Sequence, residues 1–341
     1  MLTGPWTLSH LFLNKVGLPK NSLNVFSCFH CGGGSTMGYK LAGFNVLGGV
    51  EIDPEMMKLY RANHKPDSKF SFLMPVQKFK SLETLPDELF NLDILDGSPP
   101  CSSFSMAGAR EKAWSEKKKF REGQAEQVLD DLFFHFIDIA KRLKPKVIVA
   151  ENVKGLIQGN ARGYVRDIFK AFTSAGYETQ LFLLNSSRMG VPQSRERTFF
   201  ISRRKDLDLP KIKLDFNEPV ISVATAIKGC KDDGLELSPS LKADFLRIKN
   251  KQEQKYFSVS IANPLKPCPT ITSMSASSAG SVMHWDGRKF SFDEIKRIST
   301  FPDDYDFQNL NGGYVCGMSV PPFMMMRVAA EIGRQLFKIE I

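Results

Sequence analysis

Cys101 stands in a setting that could present a reactive thiol. It follows two prolines in the string GSPPCSSFS, just after the apolar run from Leu92 to Leu95. That run predicts a buried strand, and α/β proteins bind ligands at the carboxyl ends of such strands. The prolines fix the backbone before the thiol. A lone cysteine is most often a buried apolar residue, but this position favours a nucleophile.

Two further motifs place charged side chains near such a site. Glu151 directly follows the apolar run from Val147 to Ala150. Three roles fit it: a helix cap, an ion-pair partner or an acid with a raised pKa. In QSRERTFFI, the alternation of a strand puts Gln193, Arg195 and Arg197 on one side. The two guanidiniums are either solvated charges or a clamp for an anion or a base edge.

A glycine turn precedes these motifs. The apolar run from Leu23 to Cys28 leads into three consecutive glycines, and a helical pattern begins at Ser35. Glu51 ends the next apolar run, 17 residues after Gly34, where an acid can accept hydrogen bonds from a ribose. The pattern predicts a nucleoside cofactor, and a nicotinamide or an adenosylmethionine cofactor fits it equally.

Strands and helices alternate along the first 201 residues, which predicts an α/β fold with a mostly parallel, doubly wound sheet. Pro54 suits the start of a helix. Helical spacing of apolar residues extends from Val128 to Leu143 and again from Tyr164 to Ser174. Strands are expected at 23–28, 46–50, 92–95, 147–150, 180–184 and 198–201.

From Ser202 the sequence becomes charged and irregular, which indicates a second, small domain. The helical stretch after Val320 is expected to dock back onto the first domain. We therefore predict a catalytic domain from residues 1–201 plus 314–341, and a small irregular domain at 202–313.

Composition limits the function further. The net charge of +9 favours a polyanionic partner. No run is long and apolar enough for a membrane span, so a cytoplasmic protein is expected. The six cysteines show no paired framework. Cys28 and Cys31 form a CxxC without a second ligand pair, so neither a metal site nor a redox pair is expected.

The ordered strings of this chain resemble the motif set of DNA cytosine-C5 methyltransferases. The resemblance extends from about Val25 to the C-terminus and rests on FSCFHCGGG, VEID, GSPPCSSFS, AENV, QSRERTFFI, PCPTITS, FSFDEIKRISTFPDDY and GMSVPP. It implies a Rossmann-like methyltransferase domain that uses S-adenosylmethionine, a small target-recognition domain, and double-stranded DNA as the partner of a monomeric enzyme in a prokaryotic or phage-infected cell.

The resemblance also implies roles for the catalytic candidates. Cys101 would attack C6 of cytosine, Glu151 would protonate or hydrogen-bond N3, and Arg195 and Arg197 would position the base and the nucleophile. The target nucleotide would rotate out of the duplex. A charged segment at 102–124 is expected to close on the DNA, and the DNA contacts expected by resemblance are Ser102, Ser103, Arg110 and Gln193.

For the cofactor, the resemblance places Glu51 on the ribose and Ile52 beside the adenine. Pro100 would lie near the transferred methyl group. The other expected contacts are Phe29, Gly33, Gly34 and Ser319.

Three departures from the family pattern affect these cofactor contacts. Ser27 stands where an acid is usual, Cys31 where a glycine is usual and Met318 where an asparagine is usual. An adenine-contacting acid expected near Ser71 is not evident.

Three functions remain in competition: a DNA methyltransferase, an RNA cytosine methyltransferase and a catalytically silent nucleic-acid binder. The CFT string of the tRNA-modifying branch is absent from the sequence, and both Cys101 and Glu151 are present. These features favour activity on DNA. The target sequence cannot be derived from the chain.

Overall fold

The computed structural model describes residues 21–100, 117–118, 127–128, 131–158, 162–231, 236–250, 259–273 and 282–339. The first part contains β1 Asn24–Cys28, α1 Gly34–Leu41, β2 Asn45–Glu51, α2 Pro54–His64, β3 Ser71–Leu73, α3 Val76–Lys80, β4 Ile94–Gly97, β5 Lys117–Lys118, β6 Gln127–Val128, α4 Leu132–Leu143, β7 Val147–Val153, α5 Arg162–Ser174, β8 Tyr177–Asn185, β9 Gln193–Ser194 and β10 Glu196–Arg204. The second part contains α6 Val223–Ala226, α7 Pro239–Lys249, β11 Ser260–Ile261, β12 Cys268–Pro269, β13 Val282–Met283, α8 Phe292–Ile298, α9 Gly312–Met318 and α10 Pro322–Leu336.

Seven strands form the central sheet in the order β3-β2-β1-β4-β7-β10-β8. The strands β3, β2, β1, β4 and β7 pair in parallel, and β10 runs antiparallel to both of its neighbours. Helices lie between successive parallel strands along the chain. The predicted α/β fold with a mostly parallel, doubly wound sheet is confirmed.

Neighbouring residues of each central strand enter opposite cores, because side chains alternate across a strand. Phe26 and Phe200 pack on one face with residues of α3, α4 and α5. Val25 and Phe199 pack on the other face with residues of α1 and α10. Full burial of such a side chain contributes about 1.5 to 3 kcal/mol. The C-terminal helix α10 thus packs against the central sheet, as the sequence predicts.

The helix predicted from Val128 begins later than expected. Val128 lies in β6, which pairs antiparallel with β5, and α4 begins only at Leu132. Antiparallel pairing with Lys117, 11 residues earlier, thus replaces the helical pattern at this point. The start of α2 is as predicted: Pro54 is its first residue, and the Asp53 side chain accepts hydrogen bonds from the Glu55 and Met56 amides.

The region after β10 contains short helices and two-residue strands. Two apolar clusters lie within residues 223–298: Val223 and Ile298 belong to one, and Leu237 and Met283 to the other. Residues at both ends of the predicted small domain pack elsewhere, since Ile212 joins the main core and Phe301 packs against Met37 of α1. The boundaries at residues 202 and 313 stay a prediction.

Among the described residues, no helix is long and apolar enough to cross a membrane. The same part of the chain contains no group of three or more histidine, cysteine or acidic side chains arranged to hold a metal ion.

Candidate active site

The candidate residues meet at one edge of the sheet. The parallel strands β1, β2, β4 and β7 all end there, and they lead into the glycine turn, Glu51, the prolines before Cys101 and Glu151. The antiparallel β10 begins at the same edge, with Arg197 paired to Val153 of β7. This is the edge at which open α/β sheets bind their ligands.

Glu151 and Arg197 form an ion pair at this edge. Arg197 Nε lies 2.9 Å from Glu151 Oε1, and the two side chains are only 13% and 9% exposed. Burial lowers the pKa of Arg197, and the charge of Glu151 opposes that shift. A carboxyl group and a guanidinium at this distance hold each other in one geometry.

Asn152 connects this pair to the segment that leads to Cys101. Its side-chain amide is buried, and Nδ2 donates to the Pro99 carbonyl at 3.0 Å. The backbone two residues before Cys101 is thereby fixed to the residue beside Glu151. Cys101, Ser102, Ser103 and Arg110 themselves lie outside the described residues.

Glu51 organises the turn that follows β1. Its Oε2 accepts a hydrogen bond from the Cys31 amide at 2.9 Å, and its Oε1 accepts from the Ile52 and Asp53 amides at 2.8 and 3.0 Å. Burial raises the pKa of Glu51, and the three amides oppose that shift. An ionised carboxylate has about four acceptor positions, so one remains for a ribose hydroxyl.

Three residues of the turn have left-handed backbone conformations. Phe29, Cys31 and Gly33 have φ values of 57°, 48° and 79°. A side chain on Gly33 would meet the His64 imidazole, because an added Cβ would lie 2.3 Å from Nε2. Non-glycine residues at positive φ cost of order 1 kcal/mol each and cluster at functional sites. The departure at Cys31 therefore introduces backbone strain into the turn.

His64 and Tyr305 stabilise the turn through a chain of hydrogen bonds. The Tyr305 hydroxyl donates to the Gly32 carbonyl at 2.5 Å and lies 2.8 Å from His64 Nε2. Burial lowers the pKa of His64 well below its usual range, so the imidazole is neutral. Neither residue has a role assigned from the sequence: His64 lies outside the family-like strings, and Tyr305 ends the string FSFDEIKRISTFPDDY, whose chemistry the sequence does not reveal.

The C-terminal segment closes against the same turn. A Cβ added to Gly34 would lie 2.2 Å from the Val320 carbonyl oxygen, and one added to Gly32 would lie 3.3 Å from Ser319 Oγ. Gly34 and Ser319, both predicted cofactor contacts, are thus brought together. Three other predicted contacts are half-buried at this edge and lie in or beside the loops after β1, β2 and β4: Phe29, Ile52 and Pro100.

Arg195 and Gln193 are engaged within the protein. The Arg195 guanidinium is 2% exposed and donates to the carbonyls of Ile271 and Gly317 at 3.0 and 2.9 Å. Burial, and then the neighbouring Arg197, lowers the pKa of Arg195 to about 9. The Gln193 side chain accepts from the Ile271 amide at 3.2 Å. Both residues hold later segments to the sheet edge, and their contacts with a base or with DNA stay predictions.

Comparison with known proteins decides the family. Residues 23–334 match the model of the C-5 cytosine-specific DNA methylase family. The chain belongs to this family. The predicted enzyme class, a DNA cytosine-C5 methyltransferase, is confirmed.

Relatives of this methyltransferase match it over nearly its whole length. It is 28% identical to the Type II methyltransferase M.NgoPII of Neisseria gonorrhoeae, over 93% of this chain and 97% of the relative. It is 29% identical to the Type II methyltransferase M.FnuDI of Fusobacterium nucleatum, over 92% and 95% of the two chains.

Solved structures agree on the fold of this methyltransferase. A triple mutant of Spodoptera frugiperda DNMT2 matches with a TM-score of 0.64 at 21% identity, covering 93% of this chain and all of the other. Dnmt2 methyltransferase of S. pombe matches with a TM-score of 0.63 at 17% identity, covering 92% and 98% of the two chains. At these identities the likeness concerns the fold alone.

Proposed function

We propose that this methyltransferase modifies cytosine in double-stranded DNA at a specific short sequence, with Cys101 as the nucleophile and S-adenosylmethionine as the methyl donor. The observation that carries the proposal is the buried pair of Glu151 and Arg197, fixed through Asn152 to the backbone just before Cys101.

The proposed chemistry begins at C6 because C5 of cytosine is a poor nucleophile. The Cys101 thiolate forms a bond to C6, and the electron pair moves toward C5. C5 then forms a bond to the methyl group. Loss of the C5 proton to a base and cleavage of the C6–S bond release 5-methylcytosine and restore the thiolate. S-adenosylmethionine, when bound, would supply the methyl group as an electrophilic sulfonium, and breakage of its methyl–sulfur bond would leave S-adenosylhomocysteine.

Glu151 would act on the opposite edge of the base. Its carboxyl group would protonate N3, or donate a hydrogen bond to it in the protonated form, and so draw electron density from C6. Arg197 would hold that carboxyl group in place, as it does in the observed ion pair. The base must leave the duplex to reach this edge of the sheet, since its reacting carbons are inaccessible within the stack.

The chemistry of the turn fits a nucleoside cofactor. Glu51 lies at the end of β2 with an acceptor position free. The turn from Phe29 to Gly33 has left-handed backbone conformations, and at its glycines the backbone can approach a ligand without hindrance from a side chain. By this proposal Glu51 binds the ribose, Ile52 contacts the adenine, and the turn binds the methionine moiety together with Ser319.

Methyl transfer from labelled S-adenosylmethionine tests the proposal. The wild-type enzyme should label unmethylated duplex DNA of mixed sequence and leave tRNA unlabelled, and sequencing of the product should place 5-methylcytosine within one short motif. Transfer to tRNA alone would assign the enzyme to RNA, and transfer to neither would refute the proposed substrate.

Substitution of the nucleophile tests the mechanism. Cys101→Ala should abolish methyl transfer while DNA binding persists, and Cys230→Ala, the matched control at a half-buried cysteine of the small region, should retain activity. With 5-fluorocytosine in the target, the wild-type enzyme should remain covalently attached to the DNA, because the fluorine cannot leave as a proton does. Wild-type turnover by Cys101→Ala would exclude the covalent route.

A further inference from the structure

Asp96 lies where the cofactor turn and the nucleophile segment meet. It belongs to β4, the strand that leads through Pro99 and Pro100 to Cys101, and it pairs in register with Ser27 of β1. Side chains of residues paired in this way on parallel strands point to the same face of the sheet. Asp96 is 1% exposed, so its carboxylate must be satisfied by the protein itself.

Three hydroxyl groups surround this carboxylate. Ser27 Oγ and Ser35 Oγ each donate to Asp96 Oδ2 at 2.7 Å, and the Tyr39 hydroxyl donates to Oδ1 at 3.3 Å. Ser27 lies in β1 before the turn, and Ser35 and Tyr39 lie on the helix α1 that follows the turn. Among the described residues, none forms an ion pair with Asp96 within 4.0 Å. The carboxylate therefore joins both flanks of the turn to the strand that carries the nucleophile segment.

We infer that Asp96 is a positioning residue for methyl transfer, one that holds the S-adenosylmethionine turn in register with the Cys101 segment. The inference rests on the proposed function for the identity of the cofactor. It also gives a physical reason why Ser27 can stand where related enzymes carry an acid: the carboxylate is supplied from the neighbouring strand at the same register, and Ser27 donates to it.

Substitutions on β4 test the inference by equilibrium binding of S-adenosylmethionine. Asp96→Asn removes the charge and one acceptor from three hydroxyl donors, so the dissociation constant should rise about tenfold or more. Asp93→Asn is the matched control. Asp93 is also buried and lies just before β4, but it accepts from the Asn24 amide and pairs with Lys146 at the opposite end of the strand. It should lower the melting temperature and leave cofactor affinity within about twofold.

An exchange of the two residues supplies a second test. In the double variant S27D/D96S, the carboxylate moves to β1 at the same register, about 4.8 Å away, and remains within reach of α1. Cofactor affinity should recover to within about threefold of wild type, whereas Asp96→Ser alone should lose at least tenfold. Recovery would not be expected if Asp96 merely filled space.

The outcomes are distinguishable. Equal effects of Asp96→Asn and Asp93→Asn on cofactor affinity, or no recovery in a folded exchange variant, would overturn the inference while methylation of DNA by the wild type still stands. Conversely, a wild type that binds the cofactor but does not methylate DNA would refute the proposed function alone. If Asp96→Asn does not fold, Ser35→Ala, which removes one of the donors, should still weaken cofactor binding by about threefold, and unchanged binding would count against the inference.

Discussion

The two sides of the sheet edge hold their carboxylates in different ways. On the proposed cofactor side, at the ends of β1, β2 and β4, Glu51 and Asp96 accept hydrogen bonds from backbone amides and hydroxyls. On the proposed base side, at the end of β7 and the start of β10, Glu151 is paired with Arg197. Neutral donors leave the charge of a buried carboxylate uncompensated, and burial raises the pKa of both Glu51 and Asp96.

The two sides also differ in backbone conformation. Phe29 and Cys31 on the cofactor side lie in the left-handed region, whereas the described strands β7 and β10 contain no residue at positive φ. The cofactor side therefore stores backbone strain to bring amides together, and the base side uses extended strands to bring two charged side chains together. Each arrangement should fail in a characteristic way.

Glu151→Gln, on the base side, should have the largest effect, which is a loss of kcat. The amide can neither transfer a proton to N3 nor supply the charge that pairs with Arg197, so kcat should fall about a thousandfold while the dissociation constant of S-adenosylmethionine changes less than about threefold. Single-turnover methylation and calorimetric binding measure the two quantities. The control is Glu196→Gln on the neighbouring strand β10, which removes a half-exposed ion pair with Lys154 and should change kcat only slightly. A parallel loss of cofactor affinity in Glu151→Gln would abolish the distinction between the two sides.

Glu51→Gln should give the opposite pattern. The carboxylate now accepts hydrogen bonds from three backbone amides, and the side-chain NH2 of glutamine would face at least one of these donors. Cofactor affinity should therefore fall about thirtyfold, with a smaller change in kcat at saturating cofactor. Isothermal titration provides the affinity. Exposed Glu83→Gln is the control and should bind as wild type. If kcat alone changed, the ribose role of Glu51 would be wrong.

Stability should depend on pH through Asp96. Burial, with a smaller contribution from Glu151, raises the pKa of Asp96 to about 6, above its usual value near 4. The folded state then binds a proton more tightly than the unfolded chain, so this group's contribution to stability is greatest at low pH and is lost as the pH rises through about 6. Between pH 5 and pH 7 the free energy of unfolding of the wild type should fall by about 1 kcal/mol relative to Asp96→Asn. Urea unfolding at the two pH values measures this difference, and parallel curves for the two proteins would contradict it.

The smallest expected effect concerns the strained turn. At Cys31, with φ near 48°, glycine should be more stable than alanine by about 0.5 to 1 kcal/mol, the reverse of the usual order. At Cys316, inside α9, alanine should be the more stable by a similar amount. Thermal unfolding of the four variants checks both signs. The same order at both positions would mean that position 31 carries no backbone strain.

Much of the fold could be predicted from the sequence because the signals were local. Buried runs such as Val147 to Ala150 indicated strands, and the ordered strings indicated the family. The contacts that fix the site were not predictable in this way. Asn152 donates to Pro99 across 53 residues, and Tyr305 donates to Gly32 across 273 residues. Such pairings depend on the assembled sheet.

The same long separations bear on when the enzyme becomes functional during synthesis. The turn after β1 is covered by Val320 and by α10, which packs against α1, so its supporting contacts cannot form until α10 has been translated. At typical rates of translation, the turn therefore waits about 15 to 60 s for this partner. A nascent chain that has not yet reached α10 should lack the formed turn and should not modify DNA.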